Sequence, residues 1–192
     1  MGQKLRIPER LRKQGRLLRA AKSIENGGVG GGTHLPIKSA RPFMMRTVKL
    51  GAAQKHVGRL AFPVPPESAC LNSRFNWRWS SFHEGVDLGA PYGTPVYAAH
   101  AGQVIFSGWR GGYGNLVIVW GDDLMTVYGH NSALCVKRGE YVARGEVIAY
   151  VGDSGNASGA HLHFETRIFD PTVKGWVAVD PAVFYRRGLM ID

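Results

Sequence analysis

Asn115-Leu-Val-Ile-Val-Trp-Gly-Asp-Asp-Leu-Met-Thr-Val-Tyr128 consists of two short runs of β-branched and aromatic residues split by Gly121-Asp122-Asp123. Runs of this length, bounded by turn residues, read as strands at 115–120 and 124–128. Outward from this stretch the same pattern recurs from about residue 73, predicting strands at 94–99, 103–107, 146–151 and 161–168. Glycine-rich or charged turns separate them: Gly108-Trp-Arg-Gly-Gly-Tyr-Gly114, Lys137-Arg-Gly139 and Gly152-Asp-Ser-Gly-Asn156. Six or more short strands joined by tight turns imply a mainly β, antiparallel architecture, built as two packed sheets or an open barrel. The 26 glycines and 10 prolines among 192 residues favour the same class over a helix bundle. Near the end, Asp180-Pro181-Ala-Val-Phe-Tyr185 reads as an N-cap and a proline-initiated helical turn.

The segments before the strands differ in charge and composition. Residues 1–60 hold 14 Lys/Arg against Glu9 and Glu25, a balance of +12, whereas residues 61–192 hold 10 Lys/Arg against 12 Asp/Glu, a balance of −2. Residues 4–22 read either as a basic helix with a thin apolar stripe (Ile7, Leu11, Leu18, Ala21) or as a solvated, disordered arm. Gly27-Gly-Val-Gly-Gly-Gly32 is a flexible linker by composition. The expected organisation is a basic arm at 1–26, a linker and extended connector at 27–60, and the β domain at 61–192. Phe62-Pro-Val-Pro-Pro66 marks the domain entrance.

A hydrophobic content of 44% suffices for a packed core, yet no stretch has the apolar length of a membrane-spanning helix. The N-terminus shows no apolar h-region, and Arg6 breaks the myristoylation pattern. Cys70 and Cys135 either form one disulfide or remain buried thiols, and without a CxxC pair they do not suggest a thiolate zinc site.

Five of the seven histidines and one aspartate bring chemistry to the β region. In His161-Leu-His-Phe-Glu165, alternate residues of a strand share a face, so His161, His163 and Glu165 point one way and Leu162 and Phe164 into a core. Two imidazoles about 6.6 Å apart along a strand can both address one metal. Glu165 could then orient a ring N–H. In His83-Glu-Gly-Val-Asp87, a fully extended step would span about 13 Å, too far for one ion, so Gly85 must supply a bend. His130 follows Thr126-Val-Tyr-Gly129 at a strand end; His100, in a turn, has no assigned role, nor have His34 and His56. Two histidines and a carboxylate leave one tetrahedral position open, the pattern of a catalytic zinc, with two further histidines to serve an activated water.

The ordered motifs His83-Glu-Gly-Val-Asp-Leu88, Gly93-Thr-Pro-Val-Tyr-Ala98, Gly112-Tyr-Gly-Asn115, Thr126-Val-Tyr-Gly-His130, Gly152-Asp-Ser-Gly155 and Ser158-Gly-Ala-His-Leu-His-Phe-Glu165 resemble the lysostaphin/LytM-type zinc metallopeptidases over about Ser73 to Tyr185. The resemblance implies a lysostaphin-like β domain and one Zn2+ per chain, and composition sets a basic, partly flexible N-terminal segment before that domain. It implies His83, Asp87 and His163 as zinc ligands, and His130 and His161 as the residues flanking the catalytic water. Glu165, Tyr128 and Tyr113 are candidates for supporting the site or its substrate groove. Asn131 stands where leucine is usual, Ala160 where proline is, and Trp120 where histidine is common; none is a ligand position.

The resemblance further implies an endopeptidase acting on peptidoglycan stem peptides or cross-links in the bacterial cell envelope. The alternative is a non-catalytic wall-binding regulator that activates another hydrolase. Residues 1–22 could meet an anionic surface or wall polymer, and no motif for specific nucleic-acid binding occurs in the β region. Phe75, Trp77 and Trp79 alternate like a strand face, as core or as groove wall, and Arg110 shares Tyr113's glycine-rich loop.

Overall fold

The structure, a computed structural model, describes residues 53–78 and 81–185. The arm expected at 1–26, the glycine linker and Trp79 lie outside the described residues. Among the described residues there are twelve strands: β1 (Cys70–Ser73), β2 (Asn76–Arg78), β3 (Ser81–His83), β4 (Val86–Gly89), β5 (Pro95–Tyr97), β6 (Gly102–Trp109), β7 (Asn115–Gly121), β8 (Leu124–Leu134), β9 (Tyr141–Val142), β10 (Val147–Val151), β11 (His161–Asp170) and β12 (Gly175–Val179). All pairings are antiparallel, in a large ten-stranded sheet ordered β1-β4-β11-β8-β7-β6-β9 and a separate β2–β3 hairpin. The mainly β, antiparallel expectation holds, and among the described residues the sheet does not close into a barrel.

The β7–β8 hairpin follows from its turn. Asp122 and Asp123 have φ of 51° and 60°, the left-handed geometry that a two-residue hairpin turn needs at both central positions and that short polar side chains tolerate. Val117 and Val119 enter the main core, while Leu116 and Ile118 on the opposite face are equally inaccessible. A strand buried on both faces explains why Leu-Val-Ile-Val is continuous rather than alternating.

β11 shows the contrary pattern. Leu162, Phe164 and Ile168 bury into the core with Val86 and Leu88 of β4, and Val96, Val104, Ile148 and Phe184 complete it. His161, His163, Glu165 and Arg167 therefore share the other face. Ala53 and Leu60 pack into the same core, joined by turns in which Gly58 N–H donates to Phe184 O at 2.7 Å. The closing turn, Pro181–Phe184, is a single 3-10 turn whose N-cap Asp180 accepts from Ala182 N–H at 2.9 Å.

β11 is central because it pairs β4 along His161–Phe164 and β12 along Thr166–Asp170 on one side, and β8 on the other. β8 in turn pairs β7 and β11 with its first half and β10 with its second. Those shared strands bring chemistry from distant sequence positions to one place.

Candidate metal centre

β4 and β11 set Asp87 directly opposite His163, so their side chains rise from neighbouring positions on one face. His83 arrives from the end of the β2–β3 hairpin, after which the chain bends at Gly85. A Cβ at Gly85 would lie 2.5 Å from Phe164 O and 2.9 Å from His163 Cε1. Glycine here permits close approach to β11 as well as the bend.

Three acceptor atoms converge: His83 Nε2 to Asp87 Oδ1 is 3.0 Å, His83 Nε2 to His163 Nδ1 is 3.1 Å, and His163 Nδ1 to Asp87 Oδ1 is 2.9 Å. A tetrahedral zinc with bonds of about 2.0–2.1 Å holds its ligand atoms about 3.3 Å apart, so the triangle fits one face of such a site. The tautomers fit as well. His83 Nδ1–H donates to Arg74 O at 2.8 Å, and His163 Nε2–H donates to Glu165 Oε1 at 3.0 Å. Each ring thus turns a lone pair inward. Two imidazoles and a carboxylate are a donor set suited to zinc.

Beneath His163 runs a buried ionic chain. Arg167, 1% exposed, donates from Nε to Glu165 Oε2 at 2.6 Å and from Nη2 to Glu84 Oε2 at 2.5 Å. Tyr113 O–H donates to Glu165 Oε1 at 2.7 Å. Burial works to raise the Glu165 pKa, but the Arg167 charge and the His163 hydrogen bond bring it down to about 2. Burial would lower that of His163, yet its bonds to Asp87 and Glu165 raise it to about 9. Without a metal, burial works to raise the Asp87 pKa, but hydrogen bonds from the inward nitrogens of His163 and His83, which a metal would displace, and from Arg78 hold it well below the usual carboxylate range. Burial and the Glu165 charge push Tyr113 well above the ordinary phenol value.

Arg78, on β2, closes the outer side. Its Nη2 donates to Asp87 Oδ2 at 2.6 Å and to Ser73 Oγ, leaving Oδ1 as the oxygen turned to the triangle. The same nitrogen lies 2.8 Å from His83 Nδ1 and 3.2 Å from Nε2. One atom so close to both ring nitrogens lies over the ring face, not in line with either lone pair.

His161 and His130 complete the group. His161 Nδ1–H donates to Gly159 O at 2.8 Å, and His130 Nδ1–H donates to Ser154 O at 2.8 Å. In both rings Nε2 remains the acceptor. Their centroids are 4.7 Å apart, and His161 Nε2 is 3.8 Å from Asp87 Oδ1. Burial lowers the His130 pKa, partly offset by the bond to Ser154.

His130 reaches this face against the alternation of its strand. Leu124 and Tyr128 point into the core, so a regular strand would send His130 there too. Instead His130 has φ of 63°, beside a register shift between β7 and β8. The resulting bulge turns the ring to within 5.8 Å of His163 by centroid distance.

Tyr128, by contrast, does not join the site. Its hydroxyl accepts from Ala99 N–H at 2.8 Å and bonds Thr126, which reaches His100 Nε2 at 3.1 Å. The alternation from which the bulge releases His130 keeps Tyr128 in the core. Tyr113 does join, its ring 5.6 Å from that of His163. Phe75 packs against the core, while Trp77 stacks edge-on with Phe82 and stays 50% exposed. Cys70 and Cys135 are exposed free thiols, neither paired nor buried.

Arg78, Arg167, Glu84, Asn131 and Ser154 were not foreseen as site residues. Arg167 extends the i, i+2 series of His161, His163 and Glu165, a signal that places it on their face but does not reveal its partners. Arg78 lies within the aromatic stretch, where only the packing of the hairpin reveals it.

The sequence profile of peptidase family M23 matches residues 81–181. The DD-carboxypeptidase/endopeptidase Mpg of Neisseria meningitidis is 45% identical over 93 residues, 48% of this chain and 21% of that protein. Murein hydrolase activator EnvC of Escherichia coli is 35% identical over 143 residues, 71% of this chain and 32% of that protein. The chain thus spans a fifth to a third of the length of these relatives. The crystallised catalytic domain of lysostaphin from Staphylococcus simulans superposes with a TM-score of 0.50 at 31% identity, covering 57% of this chain and 85% of that domain.

Proposed function

The chain belongs to peptidase family M23, and from that premise we propose that it is a zinc metalloendopeptidase hydrolysing peptide bonds in peptidoglycan stem peptides or cross-links. The observation that carries this reading is the triangle of His83 Nε2, Asp87 Oδ1 and His163 Nδ1, flanked by two histidines whose Nε2 atoms are free to accept. Zinc held there would supply Lewis acidity and lower the pKa of a water towards about 7.

The chain's own residues do the rest. Arg78 fixes Asp87 with one oxygen inward, and Glu165 fixes the ring plane of His163. His130, kept neutral by burial, and His161 present Nε2 to take the proton of the attacking water. Once protonated, the same nitrogens can donate to the developing oxyanion or to the leaving amine. Such chemistry belongs in the cell envelope, where Lys and Arg of residues 1–22 would meet anionic wall polymer or membrane.

The test is zinc content and peptide release together. Wild type should hold about one zinc and release peptides from peptidoglycan, and His163→Ala should lose the metal. His161→Ala should retain metal and lose cleavage; cleavage left intact would remove His161 from the chemistry. The similarity to EnvC favours a second reading, a wall-bound activator of another hydrolase. Zinc-loaded wild type that binds peptidoglycan, cuts none, and stimulates an amidase would establish that reading instead.

A further inference from the structure

We propose that Asn131 is a positioning residue for His130, acting with Asn115 and Ser154 as a polar clasp that holds the bulge turning His130 towards the metal centre. A left-handed histidine backbone persists only where its surroundings over-determine it. Here the surroundings do so. Asn131 is fully buried, and its Nδ2 donates to Tyr128 O at 2.7 Å and to Asn115 O at 2.8 Å. Those carbonyls belong to the residue two positions before His130 and to the strand opposite. Asn115 Nδ2 donates back to Asn131 O at 3.0 Å.

Ser154 locks the other side. Its Oγ donates to Asn131 O at 2.7 Å and accepts from Asn115 N–H at 2.9 Å, while its carbonyl takes the Nδ1 proton of His130. One loop residue therefore joins both strands of the bulge and selects the tautomer that frees Nε2. The fit depends on glycine, because a Cβ at Gly114 would collide with the Ser154 backbone. Leucine at 131 offers similar bulk but no donor, so the Tyr128 and Asn115 carbonyls would lose their partner inside the protein. The bulge would then rest on the Asn115 and Ser154 bonds to the residue 131 carbonyl and on the His130 bond to Ser154 O, a weaker hold against return of His130 to regular alternation.

The role assigned to His130 rests on the peptidase reading; the clasp itself does not. The experiment uses the zinc-loaded chain of 192 residues and the variants Asn131→Leu and Ser154→Ala. Readouts are zinc content, thermal stability, kcat and KM on cross-linked peptidoglycan fragments, and the His130 tautomer from long-range proton–nitrogen spectra. Both variants should keep their zinc and hold KM within roughly twofold, while kcat falls on the order of 10²-fold, as for a catalytic group displaced by about 1 Å. His130 should change from a single Nδ1–H tautomer to a mixture. Retention of that tautomer with kcat within roughly twofold of wild type overturns the proposal. So does a loss of kcat that only follows lost zinc or lost folded protein. Should Asn131→Leu fail to fold, Ser154→Ala, which removes one hydroxyl, decides. If wild type cuts no peptidoglycan, the peptidase reading fails, and the tautomer alone judges the clasp.

Discussion

Glu165 is the residue on which the electrostatics of the centre turn. It accepts from His163, Arg167 and Tyr113 with no exposed surface, and the Arg167 charge and these hydrogen bonds keep the carboxylate ionised against the cost of burial. Its folded pKa of about 2 lies below the ordinary 4.5, so its contribution to stability is complete above about pH 4.5 and is lost as pH falls towards 2. Urea midpoints of the metal-free protein should therefore drop across that window. Glu165→Gln should flatten the slope there, and parallel slopes would show that Glu165 does not set it. The same variant leaves Arg167 with less compensating charge, at a cost of about 3–5 kcal/mol, and should weaken zinc binding about 10–100-fold in a competition titration. HxH and its following glutamate were visible as a pattern. The protonated partner beneath them was not, because Arg167 acquires meaning only when buried against Glu84, 83 residues earlier.

At the level of elements, strands with β-branched runs and sharp turn residues were legible: those expected at 94–99, 103–107, 115–120, 146–151 and 161–168 all occur with ends shifted by at most two residues, and the one expected at 124–128 runs on to Leu134. β1, β3 and β4 were not, since Cys70–Gly89 mixes polar, aromatic and glycine residues, and only Phe75, Trp77 and Trp79, around β2, alternate like a strand face. Their conformation comes from the pairing of β4 with β11, of β1 with β4, and of β2 with β3 in the hairpin. Gly85 tests how tightly that pairing is held. Gly85→Ala should force β4 from β11 at a cost of about 1–3 kcal/mol, read as a lowered melting temperature, and should reduce bound zinc. A variant with wild-type stability and metal content would mean the strands can separate without harm. The bulge at His130 is the element-scale feature that period-two reasoning misses, because alternation assigns that side chain to the core.

For the whole molecule, a metal bound at the candidate centre would be linked to the fold. Ligand atoms from β3, β4 and β11 are drawn together, so zinc that binds only the folded chain should stabilise it by about 2.7 kcal/mol at a free concentration 100 times its dissociation constant. Chelation should lower the melting temperature by several degrees and zinc restore it; an unchanged midpoint would argue against binding at a site shared by three strands. The charge is arranged separately. With +12 on residues 1–60 and −2 on 61–192, a chain lacking residues 1–52 should retain its zinc but leave a cation exchanger at much lower salt. Retention unaffected by the truncation would place the anion-binding surface on the β domain.

The sequence by itself determined the class of fold, the charge asymmetry and which residue types could hold a metal. Those properties follow from local composition, turn chemistry and two-residue periodicity, all readable along the chain. Resemblance to known motifs singled out His83, Asp87 and His163 before any geometry was known. Only the tertiary structure decided that their donor atoms lie within 3.1 Å of one another, that Tyr128 serves the core while Tyr113 serves the site, and that Arg78 and Arg167 belong to it. It also decided that His130 leaves the register of its strand. These outcomes depend on which strands become neighbours and on buried hydrogen bonds between residues far apart in sequence, and local patterns carry no record of either.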